Sequence, residues 1–447
     1  MRRLPALGPF APLPVPDHVD TALPGGLAVL AVRRAGEPLV EIRLRIPFGG
    51  AAPAAGRLLA RTLFAGTASW PAERIAASAR AVGGTLDADA DADRLQVSGR
   101  ALAAGLSSLL GTLGGVLTEA SYPPGEVALA RDRLLDQLRV AGRRPDQLAG
   151  AALARRIYPG HPYGSRFADP ADLGAVTPAD LRALHAAFVR PGGSTLILVG
   201  DLDPVAAVQT AGRRLAAWTG VSAGRTPPPV PPLNPGTLLV LDRPGSSRSS
   251  LRMAFPAVAR GHPDNAALRL ANLVFGGYSG SRWTANLRED KGYAYGPRST
   301  VQDLPAGSHL IASAEVAAEH TGPALAETLY ELGRMACLPP RRSEVDRARD
   351  YTLGSLAVLG MSTHRDLADL AAGLVGAGLP LTYLAEYVER LAAVTVQDVH
   401  AAATTYLAPS GAVAVLLGDA ARVGRSVAAL TPVAIADSRE RDFSEYP

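Results

Sequence analysis

The sequence predicts an α+β fold of two homologous domains, each a mainly antiparallel sheet covered by helices, arising from internal duplication. Three observations predict it. Residues 176–201, VTPADLRALHAAFVRPGGSTLILVGD, recur as residues 394–419, VTVQDVHAAATTYLAPSGAVAVLLGD, offset by 218 with no gap and identical at nine of 26 positions. A period this long exceeds the roughly 20–50 residues of solenoid units and marks two copies of an ordinary domain. Residues 226–236, TPPPVPPLNPG, place six prolines in eleven residues where the offset requires a join. Such a run forms neither helix nor central strand and reads as an extended, semi-rigid linker. The third observation is that the same order of elements runs through residues 1–225 and again through residues 237–447.

In the first copy, residues 27–33 and 39–46 read as strands and residues 54–64 and 72–82 as helices. Residues 85–92 and 95–100 return to strand, and helices follow near 102–117, 125–141 and 146–157. The repeated segment then gives a helix at 178–188, a Pro-Gly-Gly break at 191–193 and an apolar strand at 195–199. In the second copy, residues 237–241 and 250–255 read as strands and 265–275 as a helix. Residues 293–301 and 309–316 read as a strand pair, and several helices precede the repeated helix and the strand at 413–417. The charged tail 437–447 reads as frayed.

Composition narrows the function. At 447 residues and 47% hydrophobic, each half can bury a sound core. The formal charge is +4, and no basic block carries interleaved aromatics, so nucleic acid is not the expected partner. Lys291 is the only lysine, and with the many Ala, Gly and Pro this marks a GC-rich bacterial genome rather than a function. The single cysteine, Cys337, excludes an intrachain disulfide and a Cys-based metal site. Prolines at 5, 9, 12, 14 and 16 interrupt any signal-peptide core, and the uncharged stretch 101–118 holds four glycines and reads as an internal helix. No membrane partner and a cytoplasmic location are the expectations.

The most specific stretch is FGGYSGSRWTANLREDKGYAYGPRS at 275–299. A Gly pair opens a turn, a helix runs through Leu287 and Arg288, and the chain turns at Gly292 to leave as a strand carrying Tyr293 and Tyr295. This stretch resembles the C-terminal domain signature of the pitrilysin/insulysin metallopeptidase family, approximately GG-x-x-SRL-x-x-x-LRE-x-x-GLAY. It matches at Gly276, Gly277, Ser281, Arg282, Leu287, Arg288, Glu289, Gly292, Ala294 and Tyr295, and departs at Trp283 and Tyr293.

The resemblance implies that Arg288 and Tyr295 hydrogen-bond the peptide backbone near the scissile carbonyl. A guanidinium and a phenol are donors suited to a carbonyl oxygen gaining charge. It also carries Gly276, Gly277, Ser281, Arg282 and Tyr293 over as substrate-binding positions, with Gly83 and Gly84 ahead of the strand that an extended substrate joins in the family.

The same resemblance implies a zinc site in the first copy, built on His-x-x-Glu-His with a later Glu ligand. Here the aligned stretch is GRLLARTLFAGT at 56–67, in which Leu58, Phe64, Gly66 and Thr67 hold the register. Arg57 and Arg61 stand at the two His positions, Ala60 at the Glu, and Gln137 at the later ligand. Arginine has no lone pair for a metal, and alanine cannot activate water.

The expectation is therefore a chain without its own cofactor. It would be inactive alone and the non-zinc subunit of a heterodimeric zinc endopeptidase, with zinc in a homologous partner and a peptide as substrate. The alternative is an inert scaffold or peptide-binding protein of the same fold.

Two further features have plainer interpretations. Asp87, Asp89, Asp91 and Asp93 alternate and would share one face of a strand. They lack the glycine and terminal Glu of a calcium loop, since Ala92 and Ser98 take those positions. His161, in HPYG at 161–164, reads as a structural hydrogen-bonder.

Overall fold

The computed structural model describes residues 14–165, 167–359 and 361–438; most of the tail expected to fray lies outside them. Twelve strands form two six-stranded sheets. The first holds β1 (His18–Ala22), β2 (Ala28–Arg33), β3 (Leu39–Pro47), β4 (Thr85–Ala90), β5 (Arg94–Leu102) and β6 (Thr195–Gly200), in the order β1-β2-β6-β3-β5-β4. The second holds β7 (Leu238–Asp242), β8 (Arg248–Pro256), β9 (Arg298–Leu304), β10 (Gly307–Ala317), β11 (Val413–Gly418) and β12 (Val433–Asp437), in the order β12-β7-β11-β8-β10-β9. The two α+β copies are thus real, and each sheet is mostly antiparallel. The exceptions are the β2–β6 pair in the first sheet and the β7–β11 and β7–β12 pairs in the second.

The repeated segment owes its identities to shared local physics. In the first copy Thr177 caps the helix Pro178–Phe188: Asp180 N donates to Thr177 Oγ1 at 3.2 Å, and Thr177 N donates back to Asp180 Oδ2 at 2.8 Å. Thr395 and Asp398 reproduce this box at the helix Val396–Tyr406 with the same distances. Each box satisfies helix-end N–H groups and contributes about 1 kcal/mol. The paired glycines that end β6 and β11 lie against a neighbouring strand. A Cβ at Gly200 would sit 2.1 Å from Leu39 O, and one at Gly418 2.7 Å from Ser249 Oγ.

Each copy lends a helix to the other's sheet. The helix Pro145–Ile157 of the first copy packs on β8 and β11, burying Ala149, Leu153 and Ile157 against Ala254, Val413 and Val415. The helix His364–Gly376 of the second copy packs on β3 and β6, burying Leu367, Ala371 and Leu374 against Leu30, Val32 and Ile197. Each large aliphatic side chain buried this way contributes about 2 kcal/mol.

An arginine at the fifth residue of β3 and of β8 serves each exchange. Arg43 Nε donates to Asp369 Oδ1 of the visiting helix at 2.7 Å, and Arg252 Nη2 reaches Asp146 O of the other visiting helix at 3.5 Å. The two copies therefore hold each other through apolar cores with an arginine contact on each, an ion pair from Arg43 and a bond to a backbone carbonyl from Arg252.

One element departs from its expected span. Residues 293–301 do not form one strand. Ala294 makes an isolated bridge to Val316, the chain then leaves the ladder, and β9 resumes at Arg298. Pro297 has no N–H to donate, and Gly296-Pro297 breaks the pairing just before the strand resumes.

Candidate functional site

The helix Pro53–Thr62 begins with proline at its first turn, where a missing N–H costs nothing. Leu58, Leu59 and Ala60 go into the first core, and the helix packs against Pro178–Phe188 and against the helix Pro124–Ala141. Arg57 and Arg61, four residues apart, share its other face. Both line a cleft of about 2380 Å³, and Gln137 lines the same cleft from Pro124–Ala141. The structure thus brings together the three positions that the resemblance aligns with zinc ligands, two of them occupied by arginine, which has no lone pair for a metal. Burial lowers the pKa of the Arg57 guanidinium, and the negative charge of Asp89 partly offsets this. Ala60 is buried and does not face the cleft. Among the described residues no group of three or more His, Cys, Asp or Glu side chains is placed to hold a metal.

Gly83 enters the left-handed region at φ +64°, turning the helix Ala72–Ala81 into β4. Gly84 is pressed against the backbone, since a Cβ there would sit 2.5 Å from Arg100 O. β4 is the outer strand of its sheet. The four alternating aspartates do not all share its face. Asp87 and Asp89 lie on the exposed side of β4, which ends at Ala90. Asp91 instead caps the following turn, its Oδ1 accepting from Asp93 N and Arg94 N at 2.9 Å each. Asp93 accepts from Tyr163 Oη at 2.7 Å. An Asx turn ended the strand before the alternation did.

In the second copy the helix Asn265–Asn272 continues as a wider turn through Leu273–Gly277. Gly276 is pressed against Trp283 and Ser299, and Gly277 against Asn272 and Leu273, so both glycines act through their lack of side chain. Trp283 is fully buried, stacks on Phe275 at 5.1 Å and donates to Thr328 Oγ1 at 3.0 Å. Ser281 is buried and caps the helix that runs through Arg282–Thr284 and Ala285–Asp290. Arg282 forks onto Glu344 with two bonds of 2.8 Å. Burial alone would raise the Glu344 carboxyl; the Arg282 fork and the Arg341 N–H outweigh it and hold the group at about 2.

Arg288 and Tyr295 lie together on the exposed side of this stretch. Gly292 turns the chain at φ +67°, and Tyr293 N and Ala294 N both donate to Leu287 O, at 2.8 and 3.2 Å. Tyr293 is half-buried and stacks on His320 at 4.9 Å. Tyr295 lies in the excursion between the bridge and β9 and is 80% exposed. The Arg288 guanidinium sits 4.9 Å from its ring centroid and pairs with Glu289 at 3.2 Å. This is a surface platform of one cation and one phenol. Lys291 pairs with Glu327 at 3.5 Å, and Glu327 with Glu331 also holds the Asn286 amide at 2.8 and 3.0 Å.

The sequence-derived residues therefore fall into two groups. Arg57, Arg61 and Gln137 meet in the cleft, and residues 276–295 meet on the second copy. The structure does not merge the groups: no residue of 275–299 lines the cleft.

Sequence reasoning missed a bridge between the copies that borders the cleft. Tyr158 hydrogen-bonds His309 Nδ1 at 2.9 Å, His161 Nε2 contacts Pro228 O at 2.8 Å, and Tyr163 accepts from Ala306 N at 3.2 Å. Burial lowers His309 to about 4. The HPYG run was visible as a motif; nothing in the sequence linked it to His309.

Residues 175–351 match the family model of the Peptidase M16 inactive domain, a span that includes the whole of the Gly-Gly to Tyr295 stretch. No curated protein matches the chain in sequence. A crystal structure of a peptidase M16 inactive domain from Pseudomonas fluorescens is 25% identical, covering 90% of this chain and 98% of that one, with a TM-score of 0.82. A protease from Helicobacter pylori has the same TM-score at 18% identity, covering 90% of this chain and 99% of that one, and shares the fold. Residues 175–351, which carry the signature at 276–295, thus match the M16 inactive domain, and the chain as a whole is similar in fold to the Pseudomonas fluorescens structure, with Arg57, Ala60, Arg61 and Gln137 at the positions that the resemblance aligns with a zinc site.

Proposed function

We propose that the chain is the non-zinc subunit of a heterodimeric zinc endopeptidase, working in the cytoplasm of a bacterium. A homologous partner bearing His-x-x-Glu-His would supply zinc and the base. This chain would hold the peptide backbone opposite them. The observation that carries the proposal is the Arg288–Tyr295 platform. Gly276, Ser281, Trp283 and Leu287 of the signature are buried in packing, whereas Arg288 and Tyr295 stand together on an exposed surface beside Glu289.

Arg288 offers a fixed fork of N–H groups and Tyr295 one O–H. Aimed at a scissile carbonyl oxygen, such donors favour the tetrahedral state in which that oxygen carries charge. Gly276 and Gly277 shape the backbone beneath, and Ser281 and Arg282 lock the helix that carries Arg288. The Gly83-Gly84 turn positions the edge strand β4, which is suited to pairing with an extended peptide. No helix among the described residues is long and apolar enough to cross a membrane.

The test is peptidase activity on a mixed peptide pool with this chain alone, with a zinc-motif homologue alone, and with both. Activity confined to the mixture and abolished by a chelator is expected. In the active mixture, Arg288→Ala and Tyr295→Phe should each lower kcat/KM by about 10²-fold. Full activity from the homologue alone, unchanged by adding this chain, would instead favour an inert scaffold or peptide-binding protein.

A further inference from the structure

We propose that the seam between the two copies is a phosphate site, in which Arg45, Arg94 and Arg225 hold one phosphoryl group. The inference concerns this chain by itself. It needs neither a partner subunit nor the Arg288–Tyr295 platform, so it and the proposed function stand or fall separately.

The first reason is convergence. A pocket of about 220 Å³ opens where distant parts of the chain meet. Arg45 comes from β3, Arg94 from the start of β5, and Arg225 from the stretch leading into the proline linker. Gly376, which ends the visiting helix His364–Gly376, and Pro305, from the turn between β9 and β10, line it from the second copy. The Arg225 backbone is fixed, its N–H donating to Gly49 O at 2.9 Å, while its side chain is exposed.

The duplication sharpens the argument. Arg43 and Arg252 hold the same place in β3 and β8, and each stands opposite a serine of the paired strand, Ser98 and Ser313. Counting from these pairs puts Ala254 in the place of Arg45 and His309 in the place of Arg94. Aligning the ends of the visiting helices puts Ile157 opposite Gly376 and Tyr158 opposite Ala377. On the second sheet, Ala254 and Ile157 share an apolar core, and Tyr158 hydrogen-bonds His309, which burial keeps uncharged at neutral pH. That junction is closed and neutral.

On the first sheet the same place holds two arginines and a glycine. A Cβ at Gly376 would come within 2.5 Å of Arg45 Nη2, so the glycine makes room for the guanidinium. The fold can therefore close this junction without arginine. A cation at the C-terminal end of a helix answers the helix dipole, which accounts for Arg45 but not for Arg94 and Arg225.

The second reason is charge. The charged residues lining the pocket are Arg45, Arg94, Arg225 and Asp93. Asp91 lies just outside it, paired with Arg94 at 3.5 Å and accepting two N–H groups of its own turn. Asp93 accepts from Tyr163, and burial raises its carboxyl toward the neutral form. Glu41 and Asp369, further along the same face of β3, are taken by Arg43 at 2.9 and 2.7 Å. Three cations thus face two aspartates even when both are ionised. Burial and the like charge of Arg94 lower the Arg45 guanidinium to about 10, against the pull of Asp91 and Asp93. An anion among the arginines relieves that repulsion.

Size selects the anion. The pocket is smaller than the roughly 300–1000 Å³ of ordinary small-molecule pockets, so it suits a compact ion. A phosphoryl group presents three strong acceptor oxygens, one for each guanidinium, whereas a carboxylate presents two.

The test is isothermal titration calorimetry of the full chain, at fixed ionic strength, with inorganic phosphate, glycerol phosphate and acetate. Saturable phosphate binding at least about tenfold tighter than acetate is expected, the worth of one charge-assisted hydrogen bond. Arg45→Ala, which installs the second copy's residue, and Arg225→Gln should each weaken phosphate about tenfold or more. The distant control Arg213→Gln should leave it unchanged. Binding of inorganic phosphate alone assigns the free ion, and equal binding of glycerol phosphate assigns a phosphoryl group carried on a small molecule; the proposal holds in either form. No saturable phosphate binding, equal affinity for acetate, or an affinity that survives both substitutions would overturn it. Arg225 is exposed, so Arg225→Gln keeps the fold and decides the matter even if Arg45→Ala melts.

Discussion

The same unit occurs twice in this chain, and the two versions diverge where a helix hands over to the edge strand. In the first copy the helix Ala72–Ala81 ends, Gly83 turns the chain at φ +64°, and β4 pairs with β5 without interruption from Thr85 opposite Arg100. In the second copy the helix through Ala285–Asp290 ends, Gly292 turns the chain at φ +67°, and Ala294 bridges Val316. The ladder then lapses over residues 295–297 before β9 begins at Arg298. The continuous version yields a plain sheet edge. The interrupted one lifts Tyr295 into solvent beside Arg288. Duplication supplied the frame twice, and a three-residue lapse in strand pairing made one copy a candidate peptide-binding platform.

The largest expected effect comes from the ion pair that anchors this platform. Arg282 and Glu344 are almost fully buried, and the aligned position at the start of the first copy's helix is Ala72. Glu344→Ala leaves Arg282 charged without its carboxylate. Removing one partner of such a pair costs about 3 kcal/mol, readable as a lowered denaturation midpoint with an unchanged denaturant slope. The pair also sets an acid dependence. The Glu344 carboxyl is held at about 2 in the folded chain, below its unfolded value, so its stabilisation is complete above the ordinary carboxylate range and lost as pH falls toward about 2. Wild type should therefore lose more stability than Glu344→Gln between about pH 4.5 and pH 2. Parallel acid-unfolding curves for the two would remove this pair as the anchor.

The two left-handed glycines give a smaller, internally controlled comparison. Both Gly83→Ala and Gly292→Ala place a Cβ at positive φ, which costs about 1 kcal/mol. They differ in surroundings: a Cβ at Gly83 meets Leu102 Cγ at 3.3 Å, and one at Gly292 meets nothing within 4 Å. Gly83→Ala should thus be the more destabilising in thermal denaturation. Equal losses would mean that Leu102 yields and that backbone strain alone sets both costs.

How far each part could be read from the sequence depended on the range of the interaction that fixes it. The duplication, the proline linker and the capping boxes rest on contacts within a few residues, and Thr177 with Asp180 and Thr395 with Asp398 were already visible as identities in the repeat. Arg57 and Arg61 were legible as one helix face because i and i+4 always share one. The lapse at 295–297 had a local signal, Gly296-Pro297, that the alternating Tyr293 and Tyr295 overrode. The alternating aspartates misled in the same way, since Asp91 turned out to cap a turn. The exchange of the helices Pro145–Ile157 and His364–Gly376 had no local signal. Each is an apolar helix in its own copy, and only the assembled sheets show which face it covers.

The smallest expected effect on stability falls on the residues proposed to matter most for function. Tyr295 is exposed, and the Arg288 guanidinium lies against its ring and pairs with a solvent-facing Glu289. Surface contacts of this kind are worth well under 1 kcal/mol. Arg288→Ala and Tyr295→Phe should then shift denaturation by no more than about 0.5 kcal/mol, against the much larger loss from Glu344→Ala. A fold gains little from leaving a guanidinium stacked on a phenol in water, outside the sheet ladder, and keeping Gly292, Gly276 and Gly277 to hold them there. Near-neutral stability alongside lost activity in the mixture would mark the pair as kept for binding. A loss of stability comparable to that of Glu344→Ala would show instead that the second copy's edge depends on this contact, and the difference between the two copies would then be one of packing.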